Sequence, residues 1–457
     1  MLSLESLNTT NNGAPSLEVR FEDFFGVDIE KNDVLVIHSS KFDSGCCSGP
    51  KKDYRVLDKK SYNITSCRVA AEAYKDQIMK KFNEYLASKQ SIGVCEEDRN
   101  SYTPEKMPYS WNKKAMAIIS GKSGSGKAQK YFNEIEPTLK ANGFILEPIL
   151  TESKTHATEI LRDMPVEKLK TYYCFMFFSG DGVVTEGING FYQRGKDQIK
   201  EHNLIFRVIS FIGGSANTMA RFAARNYQLD LSLWNCVYTA TRSKFEPLPV
   251  FAFEYASTTD NYATIRNVWG WHSMMIGGSG DIVEKSEAYR WCGGETRYTI
   301  AIMQVMLCNR KDRTIKFWWS EERVEPMPGL NDEIPEDGKW KYTEMTVSDL
   351  LAAFYPICTR DFVITKRIKM GNDLAVVQAC PSEGGFSGYK KWLGDGQNGI
   401  GLDDSKWGES KLARSFRVEL NDPKWGEKDT PLAFDGGIYR GSKLQGRFDE
   451  CFVRQMF

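Results

Sequence analysis

The stretch AIISGKSGSGKAQKYF, residues 117–132, decides how the chain is read. Gly121, four residues and then Gly126-Lys127 reproduce most of the G-x-x-x-x-G-K-[ST] phosphate loop, but Ala128 stands where that motif needs a hydroxyl for Mg²⁺. The stretch is a damaged phosphate loop, a glycine-rich linker or a phosphate cradle of another design, and its surroundings must discriminate. "AMAIIS" (115–120) just before it is an apolar run of strand length, and residues 128–141 after it read as a helix.

The same strand–loop–helix unit recurs downstream. "FILEPIL" (144–150), "YYCFMFFS" (172–179) and "LIFRVISFI" (204–212) read as buried strands, with helices near 156–168, 185–193 and after 217. Such alternation predicts a doubly wound, mainly parallel sheet over 113–245. Ligands of these sheets bind beyond the carboxyl ends of the strands. Two more glycine-rich segments, "SGDGVVTEGING" (179–190) and "GGSANTMARFA" (213–223), also follow a strand and precede a helix, so all three loops should leave the same edge. Glycines let backbone N–H groups approach phosphate oxygens, and helix N-termini add partial positive charge. Lys122 and Lys127 would add full charge to the first loop. Asp181, between Gly180 and Gly182, could take a proton from an attacking hydroxyl or orient Mg²⁺. Asn217 either caps the helix that follows or touches a nucleotide, and Glu186 suits the helix dipole for purely structural reasons.

Length and composition set the frame. At 457 residues the chain accommodates two or three domains, and 41% hydrophobic with 12% aromatic residues describes a folded protein. Sixty basic and sixty acidic side chains cancel, which disfavours a nucleic-acid partner. Eleven scattered cysteines without C-x-x-C and only four histidines leave little for zinc sites or histidine triads. The first 20 residues lack signal-peptide character, and no apolar run reaches about 18 residues, so a cytoplasmic protein is expected. Residues 1–110 form an N-terminal extension with a strand at "VLVIHSS" (34–40), a loop at 41–53 and an amphipathic helix at 68–86. Beyond 245 the pattern turns to β: "PVFAFEYA" with "YATIRNVWGWH" suggests a hairpin, followed by strands at "TIKFWWS", "DFVITKRIKM" and "DLAVVQAC". The second domain, 246–457, is therefore expected to be an antiparallel, sandwich-like β domain, with 382–430 a long surface insertion and the last strands completing the site. "VSDLLAAFYPICTRDF" (347–362) reads as core or as the lining of an acyl-chain pocket.

Taken in order and spacing, "SGKSGSGKA", "LTESKTHA" (150–157), "FFSGDGVVTEGING" and "GGSANTMA" resemble the catalytic domain of the diacylglycerol kinase superfamily, nearest to the sphingosine and ceramide kinases. "GWHSMMIGGSGDIVEKSEAYRWCGGETRY" (270–298) and "LAFDGGIYRGSKLQGR" (432–447) extend the resemblance to roughly 113–450. The resemblance answers the opening question, because alanine commonly follows the lysine in this family's cradle. It implies ATP as cofactor and phosphate donor, lined by Ser120, Lys122, Ser123, Gly124, Gly126, Lys127, Thr151, Thr155, Ser179, Gly180, Gly182, Glu186, Gly214, Ser215 and Asn217. It further implies Asp181 as general base, Arg290 and Arg297 with Asp435 and Gly436 on the phosphates, and Asp281 on the lipid head, with Glu284 and Glu287 as rivals for that contact. Mg²⁺ would be held through the phosphates, with Asp181 or Asp435 as the available carboxylates.

The implied activity is ATP-dependent phosphorylation of the primary hydroxyl of a sphingoid lipid, sphingosine before ceramide, by a protein in peripheral contact with a membrane. Three departures from the family pattern stand out: Ser120-Gly121 for Asn-Pro, Ile212 for proline, and Gly437 for the glutamate of the D-G-E strand. The last admits a non-catalytic lipid sensor or pseudokinase as the alternative. A diacylglycerol kinase, an NAD kinase and a phosphate-loop NTPase rank below it.

Overall fold

A computed structural model describes residues 2–3, 18–19, 24–30, 34–42, 55–63, 75, 78–81, 113–121, 124, 126–226, 229–242, 245–292, 296–306, 312–358, 362–368, 373–420 and 429–456. Residues Lys122 and Ser123, the loop at 43–53 and most of the helix expected at 68–86 lie outside them; Lys75 and Ile78–Lys81 are helical.

In the N-terminal extension, β1 (Leu2–Ser3) pairs with β2 (Glu18–Val19), and β3 (Phe24–Glu30), β4 (Val34–Phe42) and β5 (Arg55–Asn63) form an antiparallel sheet. That sheet packs on the helices Ala128–Ala141 and Leu233–Arg242 of the next domain.

The central domain contains β6 (Lys113–Ile119), β7 (Phe144–Leu150), β8 (Cys174–Phe178) and β9 (Phe206–Phe211), running parallel in the order β7-β6-β8-β9. The inner strands β6 and β8 are apolar on both faces because helices cover both, and β8, Cys-Phe-Met-Phe-Phe, is buried throughout, whereas the edge strand β7 leaves Ile145 and Leu150 exposed. Phe175 and Phe177 face one helical layer with Phe206, while Phe178 stacks on Phe211 in the other. The order in which the strands are added reverses between β6 and β8, so the loops after these parallel strands flank the topological switch point. The helix expected at 156–168 is broken into His156–Asp163 and Val166–Lys170, because Pro165 cannot donate the hydrogen bond that would continue it.

Two more strands complete this sheet, β10 (Phe245–Pro247) and β22 (Val453–Met456). The chain's last strand runs parallel to β9 and antiparallel to β10. The expected boundary is corrected accordingly: residues 246–457 are not one β unit, since their C-terminal strand returns to the central sheet to cover β9.

The remainder is an antiparallel sheet of β11 (Phe251–Ala256), β12 (Arg266–Gly270), β13 (Ser273–Gly277), β14 (Arg313–Ser320), β15 (Lys341–Ala353), β16 (Ala375–Pro381), β17 (Glu409–Ala413), β18 (Ser415–Leu420), β19 (Thr430–Phe434), β20 (Gly437–Gly441) and β21 (Lys443–Phe448). The expected hairpin is β11–β12. The long strand β15 pairs with β13, β14 and β16, so the sheet forks there and curls over one aromatic core of Phe251, Phe253, Phe354, Phe416 and Phe434, in place of two separate sandwich sheets.

Two other expectations fail. Among the described residues of "DFVITKRIKM" (362–368) there is only an isolated bridge at Val363; Ile364 and Ile368 are buried through irregular turns, with Ile364 N donating to Pro356 O and Leu402 N to Ile364 O. Nor is 382–430 a surface insertion. The helix Gly385–Gln397 buries Tyr389 and Trp392 against Ile364 and Leu402, and β18 lies between β14 and β21 inside the sheet. Glycine-rich composition disguised that helix: a Cβ on Gly396 would stand 2.8 Å from Phe362, so glycine is what lets the layers close.

Candidate active site

The three glycine-rich loops meet as the strand order requires. A Cβ placed on Gly214 would lie 2.2 Å from Gly180 Cα, one on Gly213 2.6 Å from Ser179 N, and one on Gly124 2.6 Å from Gly213 O. Side chains cannot occupy these positions, so backbone packs on backbone. Gly124 and Gly126 also hold φ of +53° and +70°, a left-handed bend that favours glycine. The first loop ends where the helix Ala128–Ala141 begins, and the second where Asp181–Tyr192 begins, so two helix N-termini lie at this edge. The exposed Lys127 precedes the first of them.

Several expected nucleotide contacts are already committed within the chain. Asn217 neither caps its helix nor stands free: its Oδ1 accepts from Gly213 N (3.0 Å) and Gly214 N (2.8 Å), and its Nδ2 donates to Gly214 O (2.8 Å). It staples the third loop, at φ +50°. Thr155 donates to Glu159 Oε1 at 2.8 Å, and the buried Ser179 donates to Gly180 O at 3.1 Å. Ser120 is buried, with its N–H on Phe178 O. Thr151, Ser215 and Gly436 sit in loops at or beside this edge and Gly182 in the first turn of the helix Asp181–Tyr192, with Gly182 and Gly436 exposed.

Asp181 is half-buried, and its carboxylate accepts from Thr218 N (2.9 Å) and Met219 N (3.3 Å) at the start of the helix Thr218–Asn226. One turn beyond it, burial pushes the Glu186 carboxyl up to about 8, against the opposing pull of Lys154. Glu186, expected to complement the helix dipole and to line the nucleotide, is thus held mostly in its protonated form at neutral pH.

Asp435 is not available to a phosphate or a metal. Its Oδ1 accepts from His272 N (2.9 Å) and Ser273 N (2.8 Å), and its Oδ2 from Trp271 N (2.9 Å) and the Thr185 hydroxyl (3.1 Å). Burial raises this carboxyl, while the charge of His272 and the three backbone donors pull it down. Asp435 and Gly436 both take positive φ, 49° and 83°, between the paired residues Phe434 and Gly437, as a two-residue hairpin requires. Gly437 is crowded: a Cβ there would come within 3.2 Å of Tyr439 Cε2.

Asp281 is likewise corrected as an open head-group contact. It is buried, and the buried Arg313 donates to its oxygens at 2.8 and 3.0 Å. Among its expected rivals, Glu284 pairs with Arg440, and Glu287 pairs with both Arg290 (2.7 Å) and Arg297 (3.3 Å). The two arginines are thereby brought together. Arg297 also stacks on the Tyr298 ring at 4.6 Å. Burial raises the Tyr298 hydroxyl, against the opposing pull of Arg297, whose Nη2 donates to it at 2.7 Å.

Sequence reasoning missed Thr185, Thr218, His272 and Cys358, which knit the junction of the two domains together. The Thr218 hydroxyl donates to Cys358 O at 2.7 Å, and His272 Nε2 lies 2.9 Å from Ile357 O. Burial works against a charge on His272, but the adjacent Cys358 and the Asp435 and Asp181 carboxylates outweigh it and hold the imidazole up at about 9. Thr218 lay inside a quoted motif, whereas nothing in the spacing of His272 or Cys358 signalled a role.

Residues 114–250 match the diacylglycerol kinase catalytic domain. Sphingoid long chain base kinase 5 of Saccharomyces cerevisiae is 39% identical over 110 residues, which is 24% of this chain and 15% of that protein. Sphingosine kinase 1 of Mus musculus is 27% identical over 195 residues, 41% of this chain and 47% of that protein. The chain thus spans less than half the length of each of these relatives. A Bacillus anthracis (strain Sterne) protein assigned to the diacylglycerol kinases superposes with TM-score 0.52 at 15% identity, over 76% of this chain and 97% of that one, a likeness of fold alone. Over residues 114–250 the chain is thus similar to the diacylglycerol kinase catalytic domain, and sphingosine and sphingoid-base kinases are among the proteins it resembles.

Proposed function

We propose that the protein transfers the γ-phosphate of ATP to the primary hydroxyl of a sphingoid lipid taken from a membrane surface. The observation that carries this reading is the mutual packing of three glycine loops at the switch point, with helix N-termini and the half-buried Asp181 at the same edge. Backbone amides of the loops cradle the phosphates, and Lys127 adds charge. Mg²⁺, held through the nucleotide phosphates, would supply neutralisation of the charge on the transferring group. Among the described residues no three acidic, histidine or cysteine side chains gather as a metal cage, and Asp435 is saturated by its own donors. The chain's own part is therefore positioning: Arg290 and Arg297 shift from Glu287 to the phosphates, and Asp181 accepts the hydroxyl proton. Preference for a sphingoid base over ceramide is supported by the names of the relatives and not by Asp281, which Arg313 holds.

Gly437 favours one other reading, a lipid sensor without turnover, because the glutamate of the family pattern is absent there and a Cβ in its place would crowd Tyr439 at 3.2 Å. The test is transfer of labelled phosphate from ATP to mixed micelles of sphingosine, ceramide or diacylglycerol, with Asp181→Ala and Glu186→Gln alongside. Label on sphingosine, lost in Asp181→Ala and kept in Glu186→Gln, is the expected result. The reverse pattern would make Glu186 the base. ATP binding with no labelled lipid would establish the sensor.

A further inference from the structure

The hydrogen bonds around Asp181 close into a circuit that crosses both domains. On one side, the Thr218 amide donates to Asp181 Oδ2 while the hydroxyl of the same residue donates to Cys358 O. The preceding carbonyl, Ile357 O, is bonded by His272 Nε2. A carbonyl only accepts, so Nε2 carries a proton. The backbone N–H of His272 donates to Asp435 Oδ1, and Asp435 Oδ2 meets the Thr185 hydroxyl. Thr185 lies one turn past Asp181 on the same helix, with its hydroxyl also 3.2 Å from Asp181 O and accepting from Trp271 Nε1 at 3.0 Å.

Two features set this apart from ordinary packing. Threonine at a helix start usually spends its hydroxyl on nearby backbone; here that hydroxyl crosses 140 positions to the other domain. Moreover, the segment it grips joins both cores, for Ile357 packs in the cluster of the central sheet and Cys358 in that of Tyr389 and Trp392. Moving this strap therefore moves the amide that binds Asp181.

We infer that Thr218 and His272 are positioning residues: by holding the adjacent carbonyls of Ile357 and Cys358, they lock the lipid-side domain to the amides that aim the Asp181 carboxylate. The inference rests on Asp181 being the proton acceptor. It predicts an effect on turnover and not on ATP affinity, because the Thr218 hydroxyl is spent on Cys358 O and His272 lies outside the glycine loops.

The test combines kinetics with amide exchange, using sphingosine micelles and the full chain. Thr218→Val keeps shape and backbone N–H but loses the hydroxyl bond; it should lower kcat about ten- to a hundredfold with KM for ATP unchanged. Thr218→Ser, which retains the hydroxyl, should restore the rate. In an Asp181→Asn background, Thr218→Val should cost nothing further, since there is no carboxylate left to aim. Amide exchange at residues 218–219 should quicken in both Thr218→Val and His272→Ala, while the amides of the central strands stay protected. Equal losses in the two backgrounds, or unchanged exchange at 218–219, overturn the inference. An Asp181→Asn protein with the parent rate would refute the proton-acceptor reading itself, whereas an inactive Asp181→Asn beside a fully active Thr218→Val would refute only the positioning role.

Discussion

Asp435→Asn separates a structural clamp from a phosphate ligand. Asparagine tolerates the positive φ of 49° at this position, so the hairpin turn survives the change. What changes is that one oxygen becomes an NH₂ group facing donors. Oδ1 faces two main-chain N–H groups that cannot reverse, from His272 and Ser273. The amide will therefore turn its nitrogen toward Trp271 N and the Thr185 hydroxyl, where the hydroxyl can rotate to accept. One buried N–H, that of Trp271, is then left facing another donor, and the bonds at Oδ1 lose the help of a full charge. An orphaned buried donor costs about 1–3 kcal/mol, and loss of charge assistance adds about 1 kcal/mol, so the expected penalty is about 3 kcal/mol. Thermal unfolding followed by circular dichroism should show the midpoint falling by about 5 °C or more. Phosphate transfer below that midpoint should fall only as far as the folded fraction and the seating of His272 allow. If Asp435→Asn keeps the parent midpoint and loses transfer, the clamp reasoning is wrong and Asp435 touches the reacting groups after all.

Two further expectations follow from the same geometry. Gly214→Ala puts a Cβ 2.2 Å from Gly180 Cα, so the second and third loops must part and transfer should fall about a hundredfold, whereas Gly384→Ala, with nothing within 4 Å, should leave it unchanged; equal activities would refute the packed-loop cradle. Asp349 is buried with Oδ1 unpartnered, and burial raises it to about 6 from 3.8 despite its bonds from Ser279 and Tyr389. Its ionised form is disfavoured in the fold, so the parent should gain stability relative to Asp349→Asn as pH falls from about 7 to 4, by about 3 kcal/mol for a shift of about two units. A difference between the two proteins that stays flat across that range would show that the carboxyl is not strained by burial.

Contiguous sequence patterns are enough to specify the architecture of the central domain and the position of its glycine-rich loops. Apolar runs such as Cys174–Phe178 can satisfy backbone and side chains only inside a parallel sheet covered on both faces, and glycines after each run mark where backbone must approach backbone. Local rules reach that far because each strand, loop and helix is written in contiguous residues. They did not reach the helix Gly385–Gln397, whose burial is set by Phe362 and Leu402 from other segments, or β22, which joins β9 across more than 200 residues of intervening chain. The committed states of the polar groups were equally out of reach. Asp435, Asp281 and Asn217 look in sequence like open ligands, and tertiary structure spends them on Trp271–Ser273, on Arg313 and on their own loop. A carboxylate's freedom to act depends on which donors surround it in space. For Asp181 those donors sit on Thr218 and Met219, and Thr218 is held in turn by a carbonyl 140 positions further along the chain.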